Sequence, residues 1–327
     1  MIFPIQILGM GKSLSKNIVF SSKIDELYNL KPGTTEKITS LKKRHLLHKN
    51  ESVDDFLKIA IDEALKKSKL NIDNIDCIIS ASAVSYQAIP YNAAYIHKLL
   101  KPNKPISTFD INMTCLGILR AFDIASKLFY DYKNILIVSC DLASLALDWT
   151  KIQTAGIFAD GATAMIVSSS DKGGIILSCF ETYSSGYEYC QIRGGGTRLT
   201  PSNYKGEYKE ICNFEMDGKK LYKLSSQILP NFIEKSLASK NLTLDDIDWI
   251  VPHQASKSAL NHIVKILNLN RAKLIDIFDT HANQVASSIP SALYTLLYEK
   301  NVKSGQKVLI VGTSAGIGLG LVVWEIP

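Results

Sequence analysis

The chain has 327 residues, with 37 Lys and Arg against 31 Asp and Glu, a formal net charge of +6, and 46% hydrophobic against 21% charged residues. This globular composition excludes a disordered chain, a collagen-like repeat and a simple coiled coil. The length allows two units of about 150 residues or one larger layered unit, and so mild a charge excess points to no nucleic-acid partner.

The opening stretch MIFPIQILGMGKSLSKNIVF has no charged segment ahead of its apolar residues and contains Pro4, Gly9 and Gly11. It reads as a first strand and turn rather than a signal peptide. No uninterrupted apolar run reaches about 18 residues, so no membrane insertion is expected. In DDFLKIAIDEALKKS, residues Phe56, Ile59, Ile61, Ala64 and Leu65 form the expected inner face of an amphipathic helix, with Asp62, Glu63, Lys66 and Lys67 outward. Further along, apolar runs of 4 to 8 residues alternate with amphipathic segments of 12 to 16 residues. That alternation predicts buried, largely parallel strands covered by helices.

The chain also repeats itself. KLNIDNIDCIIS (69–80) is matched by NLTLDDIDWIVP (241–252), STFDINMTCLGILRAF (107–122) by DIFDTHANQVASSIPSAL (276–293), and NILIVSCD (134–141) by KVLIVGTS (307–314). The offsets are 172 from Asp76 to Asp248, 169 from Phe109 to Phe278 and 173 from Ile137 to Ile310. Three blocks in one order at nearly one offset predict two fused copies of one α/β unit, 1–175 and 176–327. Residues 181–221, rich in Gly, Tyr and charge, read as a loop insertion between them: either one wall or lid of a tunnel, or a surface excursion.

The six cysteines are Cys77, Cys115, Cys140, Cys179, Cys190 and Cys212, without CxxC spacing. Reduced thiols in a cytoplasmic protein are the expectation. Cys115 lies between an apolar strand and a helical run, where a helix N-terminus favours thiolate, although a small buried core cysteine fits the same place. His253 directly follows the strand IDWIV, where open α/β sheets collect ligands, and a histidine satisfied by a carbonyl is the alternative. Asn283 lies in the second copy's version of the Cys115 loop, or is a plain turn former. Together Cys, His and Asn at strand ends suit acyl transfer, with a thiolate attacking a thioester and imidazole and amide N–H groups meeting the developing oxyanion. No His, Cys or carboxylate spacing suggests a metal, no GxSxG elbow suggests a hydrolase, and Gly316, Gly318 and Gly320 do not open a helix as a dinucleotide fingerprint requires.

DINMTCLGIL, VPHQAS and HANQVASSIP, in this order and spacing, resemble the Cys-His-Asn motifs of the β-ketoacyl-acyl carrier protein synthase III group of the thiolase superfamily. LKKRHLL, FADGATAMIVS, FEMDGKKLYK and the closing GTSAGIGLGLVVWE extend the resemblance over essentially the whole chain. It implies a duplicated thiolase fold in five layers, α/β/α/β/α, and a homodimer for which the run 134–141 is the candidate interface. It implies that Cys115 is acylated by a coenzyme A or carrier-protein thioester, with no other cofactor. His253 and Asn283 would then support decarboxylation of a malonyl-type extender and stabilise its enolate for Claisen condensation. The same resemblance assigns Ser256, Tyr222, Lys223, Ala255 and Gly218 to the pantetheine arm and the backbone of Cys115 and Ser314 to the oxyanion. Basic Lys42, Lys43, Arg44 and Lys257 near the expected entrance either meet the acidic surface of an acyl carrier protein or form a solvated face.

The departures from the family pattern concern the tunnel entrance. Thr34 and Ile38 stand where the housekeeping enzymes carry a Trp and an Arg that grip adenine, Ser256 replaces an Asn, and Ala282 replaces a Gly before the active-site asparagine. With the triad intact, these changes point to a specialised relative in secondary metabolism rather than the enzyme that starts fatty-acid synthesis. An acyltransferase of the same fold, passing the acyl group to an oxygen or nitrogen nucleophile, is the alternative, and a non-catalytic carrier-binding partner a more distant one.

Overall fold

The protein is described by a computed structural model covering residues 2–327. Its elements follow from local chemistry. Helix α1 (Val53–Ser68) begins at Ser52, whose hydroxyl accepts the N–H of Asp54 and Asp55. Asp54 and Asp55 lie at its positive end, Lys66 and Lys67 at its negative end, and left-handed Lys69 stops it. Strand β1 (Gln6–Ser13) packs directly on this helix. A Cβ at Gly11 would lie 1.9 Å from the carbonyl oxygen of Ala60, so only glycine admits that approach.

The first sheet also contains β2 (Cys77–Ser80), β3 (Ser107–Asp110), β4 (Asn134–Asp141) and β5 (Gly161–Ser168), in the order β1-β5-β4-β2-β3. The second contains β6 (Gly174–Thr182), β7 (Trp249–Pro252), β8 (Lys307–Ser314) and β9 (Gly318–Glu325), in the order β7-β8-β9-β6. Helices α3 (Gly117–Ala125) and α6 (Ser288–Glu299) lie between the sheets in one shared core with Ile79, Ile137, Val251 and Ile310. Outside the first sheet α1 and α2 (Asn92–Leu100) bury Leu57, Ile61 and Ile96 against Ile78 and Val138. Outside the second, α4 (Gly218–Ala238) and α5 (Lys257–Ile266) bury Phe232, Ile233 and Ile263 against Ile250 and Leu309. This is the expected five-layer arrangement, duplicated, with β2 answering β7 and β4 answering β8.

Four expectations change. The sheets are mixed rather than largely parallel: β2 is parallel to β3 and β4, and β7 to β8, but β5 and β9 run antiparallel to their neighbours. Ile59 is exposed, because the buried face of α1 runs through Phe56, Leu57, Ala60, Ile61 and Ala64. Run 134–141 is the centre of its sheet, hydrogen-bonded on both edges, and cannot extend the sheet across an interface; the edge strands are β1 and β3. Finally, the segment 181–221 is partly ordered into regular structure. It contains the paired strands Cys190–Gln191 and Glu215–Met216, its first residues still belong to β6, and Gly218 to Leu221 already open α4.

Candidate active site

Cys115 is set by the turn that follows β3. Asp110 accepts the N–H groups of Asn92 and Ala93 at 2.8 Å each, which fixes the strand end to the start of α2. Asn112 then folds the chain back: its Oδ1 accepts Thr114 N–H at 2.8 Å and its Nδ2 donates to Ala83 O at 3.0 Å. Thr114 takes a positive φ of 46°, one turn of 3-10 helix carries Cys115, and α3 begins at Gly117. The thiol faces the backbone N–H groups of Ala315 and of Cys115 itself. Ser314, the expected oxyanion residue, and Ala315 both line the same cavity at the turn between β8 and β9.

Burial pushes the Cys115 thiol up to about 12, with Cys190 and Asp141 adding to the effect. The helix N-terminus therefore does not make a resting thiolate. Desolvation outweighs the two backbone N–H groups at the sulfur.

His253 continues from β7, and Gln254 locks the turn. The buried Gln254 amide donates to Pro252 O at 2.8 Å and to Ile275 O at 3.1 Å, while its oxygen accepts Ile277 N–H. A Cβ at Gly312 would meet the Cβ of His253 at 2.7 Å, so β8 needs glycine there. Neither ring nitrogen of His253 makes a well-formed hydrogen bond, although the Asn283 side chain and the Val285 backbone lie against the ring. Burial lowers its pKa to about 4, only partly offset by Asn283 and the Val285 backbone. The imidazole is consequently neutral at physiological pH and able to donate.

Asn283 is held by its own backbone and side chain. Its N–H donates to Ile157 O at 3.0 Å and its carbonyl accepts Ala159 N–H at 2.9 Å, so the first half positions the second half's asparagine. Its Oδ1 accepts Val285 N–H at 2.9 Å, and one amide hydrogen goes to Ala255 O at 3.2 Å. The Asn283 side chain also lies against the His253 ring. Ala282, just before it, sits at φ 55° and ψ −160°, a conformation suited to glycine.

Cys115, His253 and Asn283 line one cavity of about 1170 Å³. Ile38, Lys219, Tyr222, Ser256 and Lys257 lie on the same lining, and so do Val53, Leu57, Tyr95 and Ile96 from α1 and α2. Tyr187, Cys190 and Phe214 show that the 181–217 segment forms part of the wall. Among the residues assigned to pantetheine, Gly218, Tyr222, Ala255 and Ser256 line the cavity, with the Ser256 hydroxyl also capping α5 through Ala259 N–H. Lys223 does not line it; it is exposed, and Lys219, one turn earlier, takes the place.

The carrier-contact assignment of Arg44 is overturned. Arg44 is fully buried and donates to Gly156 O and Ser21 Oγ, tying the hairpin Ile18–Phe20/Lys43–His45 to the body of the protein. Lys42 is exposed and Lys43 half-buried, whereas Lys257 is neutralised by Asp276 at 3.0 Å and Asp279 at 2.7 Å. Sequence reading also missed Asp141, a buried carboxylate on the cavity wall that accepts N–H groups from Ala83, Val84 and Ala286. Burial raises it to about 7 despite those three donors. The Asp following NILIVSC, at the end of a strand, was its only signal.

No grouping of three or more His, Cys, Asp or Glu side chains among the described residues could hold a metal ion, and no helix is long and apolar enough to cross a membrane.

Comparison with known proteins agrees with this geometry. Residues 109–186 match the family described as 3-oxoacyl-[acyl-carrier-protein (ACP)] synthase III, and residues 237–326 its C-terminal counterpart. A β-ketoacyl-[acyl-carrier-protein] synthase III of Wolbachia pipientis wMel is 30% identical over 321 residues, covering 97% of this chain and 98% of the relative. One from Neisseria gonorrhoeae is 29% identical over 329 residues, covering 98% of each. The crystal structure of 3-oxoacyl-[acyl-carrier-protein] synthase III from Aquifex aeolicus VF5 superposes with a TM-score of 0.87 at 25% identity, covering 98% of this chain and 99% of that one.

Proposed function

The chain belongs to the 3-oxoacyl-[acyl-carrier-protein] synthase III family of condensing acyltransferases, and from that premise we propose that Cys115, His253 and Asn283 carry its reaction. The observation that supports this most is that the three side chains line one cavity while neither ring nitrogen of His253 is tied up in a well-formed hydrogen bond.

In the loading step the Cys115 sulfur attacks the thioester carbonyl, and the N–H groups of Cys115 and Ala315 receive the developing oxyanion. The bond to the leaving sulfur breaks, and the proton from Cys115 ends on that sulfur, carried by neutral His253. In the second step a malonyl-type thioester loses CO₂, and the electron pair of the broken C–C bond forms an enolate. His253 and Asn283 donate to its oxygen. Its carbon then attacks the Cys115 thioester, and the C–S bond breaks to return the cysteine, which takes up a proton. Both donors act from neutral groups, so neither must lose a proton to be ready.

The rim supports a specialised enzyme rather than the initiator of fatty-acid synthesis. Thr34 and Ile38 offer no stacking face and no phosphate fork, so a nucleotide has little to hold it. Exposed Lys42, Lys219 and Lys223 suit the acidic surface of a carrier protein. A homodimer in this reading pairs through the open edge of β3.

The test supplies one acyl group on coenzyme A and on a cognate carrier, with malonyl-carrier, at low and raised salt. The expected product is a β-ketoacyl thioester, formed faster from the carrier and more salt-sensitively. Absence of any condensation product overturns the mechanism. Equal or better kinetics with coenzyme A at both salts overturns the carrier preference alone.

A further inference from the structure

Buried polar atoms without a partner are concentrated in this protein. Of eight such side-chain atoms among the described residues, five line the cavity: Ser80 Oγ, Thr114 Oγ1, Ser225 Oγ and both ring nitrogens of His253. A buried hydroxyl is normally satisfied, so each orphan marks a place where the fold leaves a hydrogen bond to a ligand.

The loading reading accounts for four of them. Thr114 and His253 adjoin Cys115 and Asn283, where the thioester and enolate oxygens develop. Ser225 lies on α4, three residues after Tyr222, on the wall assigned to the amide-rich pantetheine arm.

Ser80 has no such explanation. It ends β2, and strand alternation puts its side chain on the face of Ile78, which packs with Leu57 and Ile96. That face borders the part of the cavity lined by Val53, Leu57, Tyr95 and Ile96, where an acyl chain extending from Cys115 has apolar walls. Ser80 is 1% exposed. A plain alkyl chain would seal its hydroxyl away from water with nothing to bond. Neighbouring Ser82 differs, because its oxygen already accepts Cys140 N–H at 3.0 Å.

Resting on that loading reading, we propose that the acyl arm receives a chain bearing an oxygen substituent, a hydroxyl or keto group, that hydrogen-bonds Ser80 Oγ. Ser80 is then a specificity-determining residue. The cavity, at about 1170 Å³, exceeds the roughly 300–1,000 Å³ typical of small-molecule sites, so a chain of several carbons fits alongside the pantetheine arm.

The experiment follows acylation of Cys115 by intact-protein mass spectrometry with pantetheine thioesters, which bypass the nucleotide grip. The panel is acetyl, octanoyl, and octanoyl carrying one hydroxyl at carbon 3, 5 or 7. One hydroxylated chain is expected to load about tenfold faster than octanoyl, the worth of one hydrogen bond to an otherwise unpaired buried group. Ser80→Ala is expected to erase that advantage while octanoyl loads as fast or faster, which also shows that the variant folds. Ser80→Cys, nearly isosteric but a weak donor, is expected to fall between. No advantage for any hydroxylated chain in the natural protein overturns the proposal, as does an advantage that survives in Ser80→Ala; a water satisfying Ser80 gives the first result. If acetyl and octanoyl load without oxygen preference, only this proposal fails. If no thioester loads, the mechanism beneath it fails as well.

Discussion

Asn283 and Asn112 make the same two hydrogen bonds in the two halves of the molecule. Each Oδ1 accepts the N–H two residues on, from Val285 and Thr114, and each Nδ2 donates to an alanine carbonyl, Ala255 and Ala83. Both Val285 and Thr114 have positive φ, 55° and 46°. The asparagine is therefore first a bracket that shapes a strand-to-helix turn. Only in the second half does it stand on the cavity wall. The position corresponding to Cys115 is Ala286 in the second half, and its N–H is taken by Asp141, so the duplicate site is closed by an internal carboxylate.

This bracket gives a first prediction. Asn112 does not line the cavity, yet Asn112→Ala leaves Thr114 N–H without its acceptor beside Cys115. Stability should fall by about 0.5–1.5 kcal/mol, read by denaturant unfolding, and Cys115 loading should slow. Unchanged loading together with unchanged stability would show that the turn holds its shape without the bracket.

His253→Ala and Asn283→Ala should separate the two chemical steps. Each removes one donor to the enolate, a loss of about 100- to 1,000-fold in condensation rate. Both variants should still acquire the acyl mass from a donor thioester. Condensation at the natural rate in either one contradicts the assigned role.

The ionisation of Cys115 is open to direct measurement. Its pKa is raised to about 12 by burial and that of His253 lowered to about 4, so the resting pair is a neutral thiol and a neutral imidazole. Alkylation by iodoacetamide proceeds through the thiolate, whose fraction grows about tenfold per pH unit below the pKa. The rate at Cys115 should climb without a plateau from pH 7 to pH 10. A plateau below pH 8 would reveal a stabilised thiolate instead.

Ala282 offers a stability test. Its φ of 55° with ψ of −160° costs a residue with a Cβ roughly 1–3 kcal/mol, against which glycine's greater freedom in the unfolded chain costs less. Ala282→Gly should raise unfolding stability by about 1 kcal/mol. A lower denaturant midpoint contradicts the strain.

Much of this architecture was legible because duplication writes each structural constraint twice. Asp76 and Asp248 each accept backbone N–H groups at matching strand entries, from Lys133 and Asn134 in one half and from Lys307 in the other. That Cys115, His253 and Asn283 meet on one cavity wall was legible because motifs at strand ends carry a recognisable residue type. Strand direction was not, since a buried antiparallel strand such as β5, GATAMIVS, is as continuously apolar as a parallel one. Arg44 misled for a related reason: LKKRHLL reads as a basic surface run, and only the packing of the hairpin turns the third cation inward. The N–H of Ala315 at the Cys115 sulfur was not legible, because which N–H a tight turn aims at a sulfur depends on backbone angles, with positive φ at Gly316 and Ile317. Asp141 and Gln254 act through partners more than 20 residues distant in the chain, which local pattern does not reveal.

The central claim is that Cys115 accepts the acyl group. Intact-protein mass spectrometry after incubation with a panel of acyl thioesters, on the natural protein and Cys115→Ala, tests it directly. The natural protein should gain the mass of one acyl group, hydroxylamine should release it, and peptide mapping should place it on Cys115, while Cys115→Ala gains nothing. An acyl mass on Cys115→Ala, or on Cys140 or Cys190 in the natural protein with Cys115 free, would contradict the account.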